Sequence, residues 1–103
     1  MWDDRRGPAD LVMALALIHH LAIANNVPLR DAAAFFAELA KYLIIEFVPR
    51  SDSQVKRLLS TRQDIFPEYS VAGFEAAFGK QYKIIEKQAV EASERVVYLM
   101  QRS

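Results

Sequence analysis

Asp10-Leu-Val-Met-Ala-Leu-Ala-Leu-Ile-His-His-Leu21 is the stretch on which the fold turns. An uncharged run, Leu11 to Ile18, leads into two adjacent histidines, the only histidines in the chain. Ala, Leu and Met favour a helix. An unbroken apolar run equally suits a strand covered on both faces. Periodicity does not separate the two, and the residue types alone lean towards helix. Polar, titratable groups at the end of a buried strand are where an open α/β sheet places its chemistry. His19 and His20 are therefore the first candidates for a site.

The segments that follow are clearer. Asn25-Asn26 can cap a helix, and Pro28 is tolerated in a first turn. Ala32, Phe35, Phe36 and Leu39 then recur at helical spacing, which predicts an amphipathic helix from about Leu29 to Ala40. Tyr42-Leu-Ile-Ile-Glu-Phe-Val48 is short, β-branched and aromatic, and is stopped by Pro49. It reads as a buried strand, parallel to its predecessor because it follows a helix. Ser51 to Gln54 matches a capping box ahead of Val55, Leu58 and Leu59. A loop over Asp64–Tyr69 leads to Ser70, which can cap a helix carrying Phe74, Ala77 and Phe78 and ending at Gly79. Tyr82–Val90 and Arg95–Met100 are strand-like, with a turn over Glu91–Glu94, and predict an antiparallel hairpin. The class is α/β, with only two candidate parallel strands, so the chain reads as part of a doubly wound sheet.

Composition narrows the function. The chain has 103 residues, enough for one domain at most, and 52% of them are hydrophobic. Thirteen Lys+Arg balance 13 Asp+Glu, so no net field points to nucleic acid or an anionic membrane. No cysteine is present, which excludes disulfides, thiol nucleophiles and thiolate metal sites. The apolar stretch around Leu11 falls short of the ~18–20 residues of a membrane span. Met1–Pro8 is charged and lacks a signal-peptide pattern. Residues 1–9 read as a leader, and a cytoplasmic location is expected.

The run Asp10 to Leu21, with Leu43-Ile-Ile-Glu-Phe-Val-Pro49, Asp52-Ser-Gln-Val55, Tyr69, Phe74 and Arg95-Val-Val-Tyr-Leu99, resembles the second half of class I S-adenosylmethionine-dependent methyltransferases. The similarity is to bacterial members, including nodulation-related methyltransferases of rhizobia, and covers nearly the whole chain. It implies a Rossmann-like sheet ordered 3-2-1-4-5-7-6, with the seventh strand antiparallel. Leu11–Ile18 would be strand 4, Tyr42–Val48 strand 5, Tyr82–Val90 strand 6 and Arg95–Gln101 strand 7, giving the order 4-5-7-6 flanked by helices. Strand therefore replaces helix as the expectation for Leu11–Ile18. The family holds its cofactor mainly by a glycine-rich turn after strand 1 and an acidic residue after strand 2. This sequence has only Gly7, Gly73 and Gly79 and no Gly-x-Gly. The resemblance thus implies a C-terminal half over residues 10–103 that contributes the acceptor side of a cleft and is inactive alone.

On that reading His19 or His20 would serve as a base or acceptor-binding group, since an imidazole titrates near ~6.5. Ile18 and His19 would touch S-adenosylmethionine in the intact enzyme. Glu46, Pro49 and Arg50 would line the pocket of an unidentified methyl acceptor. Asp52 follows strand 5 at the same end and would help to shape that pocket. Against each stands a plainer reading: a loop-capping histidine, a Glu46 paired with Arg50 or Arg95, a loop turn and helix cap at Pro49, Arg50 and Asp52. Asp10 precedes strand 4 at its amino end, where a structural role is expected. Phe35, Phe36, Phe74 and Phe78 are expected in the core. As metal ligands the histidines lack a third group at helical spacing, so no metal is expected. The alternative function is a small non-catalytic α/β module that forms a homodimer through the exposed edge of strand 4. A further alternative is a helical regulatory protein in which Leu11–Ile18 is helical.

Overall fold

The computed structural model describes residues 9–60 and 66–103. The expected leader, with Trp2 and Gly7, and the loop positions Asp64 and Ile65 lie outside the described residues, except that Ala9 opens the first strand. The elements are β1 (Ala9–Ala14), a π-helical turn (His20–Ala24), α1 (Leu29–Leu39), β2 (Ala40–Phe47), α2 (Ser53–Ser60), α3 (Val71–Gly79), β3 (Tyr82–Ala89) and β4 (Val96–Arg102). The four strands form one mixed sheet in the order β1-β2-β4-β3. β1 and β2 are parallel, joined through α1. β4 is antiparallel to both β2 and β3. The expected hairpin is present, with a bulge between Ile84 and Glu86.

The first strand is shorter than expected. β1 ends at Ala14, and the chain turns at Leu15 and Ala16 before becoming helical at Ile18. The cause is tertiary. Ala16 takes a left-handed backbone conformation (φ 54°). Its N–H donates to Glu46 Oε1 at 2.7 Å, thirty positions along the chain. The fully helical alternative for Leu11–Ile18 is overturned, because Leu11–Ala14 pairs with Tyr42–Ile45. Asp10 lies within β1 rather than before it.

Two caps also differ from expectation. The N-cap of α1 is Pro28, with no side-chain capping bond. Asn25 instead donates its side-chain amide to the His20 carbonyl, and Asn26 is left-handed (φ 56°). At α2 the capping oxygen is Asp52 Oδ1, which accepts from Gln54 N at 2.9 Å; the capping box led by Ser51 is not formed, and the plainer reading of Asp52 as a helix cap holds. At α3 the expected cap holds: Ser70 Oγ accepts from Gly73 N. Gly73 is required there, because a Cβ would sit 2.0 Å from the Glu68 carbonyl oxygen.

The buried stripe of α1 is Leu29, Ala32, Ala33, Phe36 and Ala37, at helical spacing. Phe35 falls off that stripe and is exposed, contrary to expectation. Phe36, Phe74 and Phe78 are core as expected. α1 packs on α3 and β2, and α3 packs on β3. Facing these helices, the sheet presents Leu43, Ile45, Phe47, Tyr82, Tyr98 and Met100, all buried. Tyr82 Oη lies 2.8 Å from the Phe36 carbonyl and 2.9 Å from that of Ala40, tying the end of α1 to β3. The opposite face carries Leu11, Met13, Tyr42, Ile44, Val97 and Leu99, exposed or half-buried, and among the described residues no helix covers it.

Candidate functional site

The titratable groups gather where β1 and β2 end. Glu46 is the penultimate residue of β2, and Asp52 follows five positions after the strand, ahead of α2. Arg95 immediately precedes β4, which is antiparallel to β2 and so begins at the same end of the sheet. The Arg95 guanidinium donates through Nε to Asp52 Oδ2 at 2.8 Å and through Nη2 to Asp52 Oδ1 at 3.2 Å. Its Nη1 lies 3.5 Å from Glu46 Oε1, the oxygen that also receives the Ala16 amide. One buried carboxylate thus ties the β1 turn to the start of β4. Of the two arginines expected as partners of Glu46, Arg95 fills that role. The Arg95 guanidinium holds the Asp52 carboxyl below the usual carboxylate range, and Asp52 in turn raises Arg95.

His19 is 1% exposed, and its Nδ1 is buried without a hydrogen-bond partner. Its ring lies 4.2 Å, centroid to centroid, from that of exposed His20. Burial, then the neighbouring His20 and the Arg95 guanidinium, pushes His19 down to about 4, against an opposing pull from Asp52. At neutral pH His19 is therefore an uncharged imidazole and a poor proton acceptor. It is suited to hydrogen bonding rather than to general-base work. An orphaned buried nitrogen is uncommon in a folded protein. A wide π-turn placing it beside a charged cluster is of a kind often found at functional sites.

The depressed value makes stability depend on pH. His19 titrates near ~6.5 when unfolded and about 4 when folded, so the unfolded chain binds more protons between those values. Stability is fully present above the unfolded value and falls as pH drops towards the folded one. Between pH 7 and pH 5 the loss is expected to be about 2 kcal/mol. Urea titrations at the two pH values measure it, and His19→Phe removes it. An equal loss in that variant rules His19 out as the source.

The other expected site residues lie differently. Ile18 is fully buried in the core. Pro49 is half-buried at the end of β2. The Arg50 guanidinium donates to the carbonyls of Tyr69 (Nε, 3.0 Å) and Phe66 (Nη2), fastening the loop ahead of α3. Tyr69 supports the same junction by donating its hydroxyl to the Val48 carbonyl. The structure thus brings His19, His20 and Glu46 to one end of the sheet. It joins Asp52 to them through Arg95 and directs Arg50 to the loop. Sequence reading missed the Asp52–Arg95 pair. Its only signal was an acid and a base each abutting the carboxyl-end loops. A cavity of about 270 Å³ lies elsewhere, between the start of α1 and the Phe66–Tyr69 loop, and is lined by Asn26, Pro28, Arg30 and Glu68 among others. Among the described residues no three metal-ligating side chains converge, and no helix is long and apolar enough to cross a membrane.

The chain is thus a mixed α/β unit with a polar cluster at the carboxyl ends of its parallel strands. It is 43% identical over 98 residues to nodulation protein NoeA of Rhizobium meliloti (strain 1021), a match that covers 95% of this chain. The chain spans 21% of that curated relative's length. No family model matches the chain, and no solved structure does.

Proposed function

We propose that this chain is the C-terminal half of a class I S-adenosylmethionine-dependent methyltransferase domain and supplies the methyl-acceptor side of its cleft. The observation that carries the reading is the sheet order. A parallel β1-β2 pair is followed by a terminal hairpin whose last strand inserts antiparallel between β2 and β3. That matches strands 4-5-7-6 of the family the sequence resembles. The match to a much longer bacterial nodulation protein supports a part of a larger unit. The uncovered apolar sheet face supports it as well.

Among the described residues none forms a cofactor cradle by itself. Ile18 and His19, expected to touch the cofactor, are buried, and the sequence has no Gly-x-Gly turn. S-adenosylmethionine would supply an electrophilic methyl group, and its binding surface belongs to the missing half. What this chain offers is positioning. Neutral His19 presents Nδ1 as a hydrogen-bond partner beside the cluster. Exposed His20 is the better placed of the two to accept a proton from an acceptor hydroxyl or amine. Glu46 and Asp52, held by Arg95, keep the floor of that site rigid. Acceptor selection and the cytoplasmic location belong to the same reading.

The test uses NoeA and a graft in which this chain replaces the matching fifth of it. Calorimetry with S-adenosylmethionine and transfer from a methyl-labelled donor are the readouts. NoeA and the graft are expected to bind the cofactor, and His20→Ala in the graft to lose turnover while keeping binding. The isolated chain is expected to show neither binding nor turnover. An absence of cofactor binding in NoeA removes the reading. Micromolar binding by the isolated chain removes the claim that it is inactive alone.

A further inference from the structure

We infer that Glu46 is the positioning residue of the histidine pair: its carboxylate fixes the turn that delivers His19 and His20 to the end of the sheet, and it acts as a hydrogen-bond acceptor rather than by touching the methyl acceptor. Its consequence for turnover rests on the methyltransferase reading; its consequence for the histidines does not. β1 ends against its own sequence. The run Leu11–Ile18 is uncharged throughout, as suits a continuing strand. β2 also runs on, through Glu46 and Phe47, past Ile45, the last partner of β1. The chain nonetheless turns away at Leu15 and Ala16. Ala16 does so at φ 54°. A residue with a Cβ rarely adopts that conformation, and keeps it only where the surroundings impose it. Side-chain packing within the chain does not impose it, because Leu15, Ala16 and Leu17 are all exposed. The Ala16 amide is held instead by Glu46 Oε1, at 2.7 Å.

From that amide the path to the histidines is short. The carbonyl of the next residue, Leu17, accepts from the His20 amide at 3.0 Å and the Leu21 amide at 3.2 Å. The far end of the π-turn is closed on the His20 carbonyl by the Asn25 amide at 2.9 Å. A shift of the Ala16 amide therefore carries Leu17, and with it the backbone that bears both rings. Glu46 is itself held. It is 9% exposed, and the oxygen that receives Ala16 lies 3.5 Å from Arg95 Nη1. Arg95 is in turn fixed by two bonds to Asp52. A buried carboxylate is costly unless paired, and this pairing keeps its oxygen where the amide needs it. With Oε1 engaged twice inside the chain, Glu46 serves the geometry of the turn rather than a passing substrate.

Glu46→Gln and Glu46→Met test the inference. Both are neutral and close to glutamate in length, and only glutamine offers an acceptor oxygen. In the 103-residue chain, circular dichroism establishes that each variant folds. The turn is then read from nuclear Overhauser contacts between the His19 and His20 rings, whose centroids lie 4.2 Å apart, and from hydrogen exchange at the Ala16 amide. Glu46→Gln is expected to keep the ring contacts and the protection. Glu46→Met is expected to lose the ring contacts and to speed Ala16 exchange about tenfold, the equivalent of one hydrogen bond to a charged group. In the NoeA graft, Glu46→Met is expected to lower kcat about a hundredfold, as for a misplaced reacting group, with unchanged affinity for S-adenosylmethionine. Glu46→Gln is expected to recover most of that loss. Ring contacts and Ala16 protection kept in Glu46→Met, or lost in a folded Glu46→Gln, overturn the inference. If Glu46→Met does not fold, the Glu46→Gln spectra decide alone. An active graft indifferent to Glu46→Met overturns it too, and leaves the methyltransferase reading standing. A graft that binds no cofactor removes that reading, while the spectra of the 103-residue chain still decide whether Glu46 positions the histidines.

Discussion

Phe74→Ala is expected to destabilise the fold by about 3–5 kcal/mol, the range for deleting a fully buried aromatic ring. Phe74 lies on α3 and is completely buried. Its ring stands 4.6 Å from Phe78, 5.0 Å from Phe47 and 5.1 Å from Tyr98, so it touches its own helix, β2 and β4 at once. Phe47 in turn packs on Tyr69 at 5.0 Å. Few neighbours can move into the void. Phe47 and Tyr98 are fixed by sheet pairing, and Tyr98 is tethered by its hydroxyl to Glu75 Oε2 at 2.7 Å. With a total stability of roughly 5–15 kcal/mol for a small domain, such a loss brings the chain close to unfolding. Urea denaturation followed by circular dichroism measures it. Phe35→Ala on exposed α1 surface is the control, with an expected change within about 0.5 kcal/mol. A Phe74→Ala loss below about 1 kcal/mol would show that the aromatic cluster is not the centre of the core.

The same cluster shows what the sequence made legible. Phe74 and Phe78 sit four apart between a capping serine and Gly79, so local pattern and tertiary packing agree. The terminal hairpin was equally readable, because its strands are β-branched and the polar turn between them is short. β1 was harder. Ala, Leu and Met suit helix and strand alike, and the chain uses both, a strand to Ala14 and helical backbone from Ile18. The division is made by Glu46 holding the Ala16 amide, a contact between segments that no local pattern contains. The spacing of Phe35 from Ala32 fits a helical stripe, but the small residues Ala33 and Ala37 face the core in its place. In the candidate site, Glu46 was legible as a charge within a buried strand. Asp52 was legible as a residue at the cleft end and as a helix cap, but its pairing with Arg95 was not, since the two lie more than forty residues apart. Arg50 is not legible as a loop fastener, because its partners are backbone carbonyls, which sequence does not display.

Arg95→Met is expected to cost about 2–4 kcal/mol, between the near-zero value of surface pairs and the 3–5 kcal/mol of fully buried ones. The side chains involved are 23% exposed for Arg95, 12% for Glu46 and 13% for Asp52. The apolar replacement keeps much of the packing and removes the cation, leaving two largely buried carboxylates close together. Their partnership with Arg95 is therefore tested best by a double variant. Arg95→Met with Glu46→Gln is expected to recover part of the loss, because glutamine still offers an oxygen to Ala16 without the charge. Simple additivity would show that Glu46 and Arg95 do not interact. The pH dependence has a definite sign. The Asp52 carboxyl is held down by Arg95, so its contribution is present above the unfolded carboxylate value near ~3.9 and is lost as pH falls through the lower folded one. The gap between wild type and Arg95→Met should accordingly narrow in strong acid. The variant also reaches His19, whose titration is depressed in part by the Arg95 charge while Asp52 opposes that shift. Removing the guanidinium is expected to move the His19 imidazole resonances to a higher titration midpoint. Burial, the larger cause, should still hold that midpoint below the ordinary value. An unchanged His19 midpoint in Arg95→Met would separate the histidine from the carboxylate cluster and leave burial and His20 as the sources of its shift.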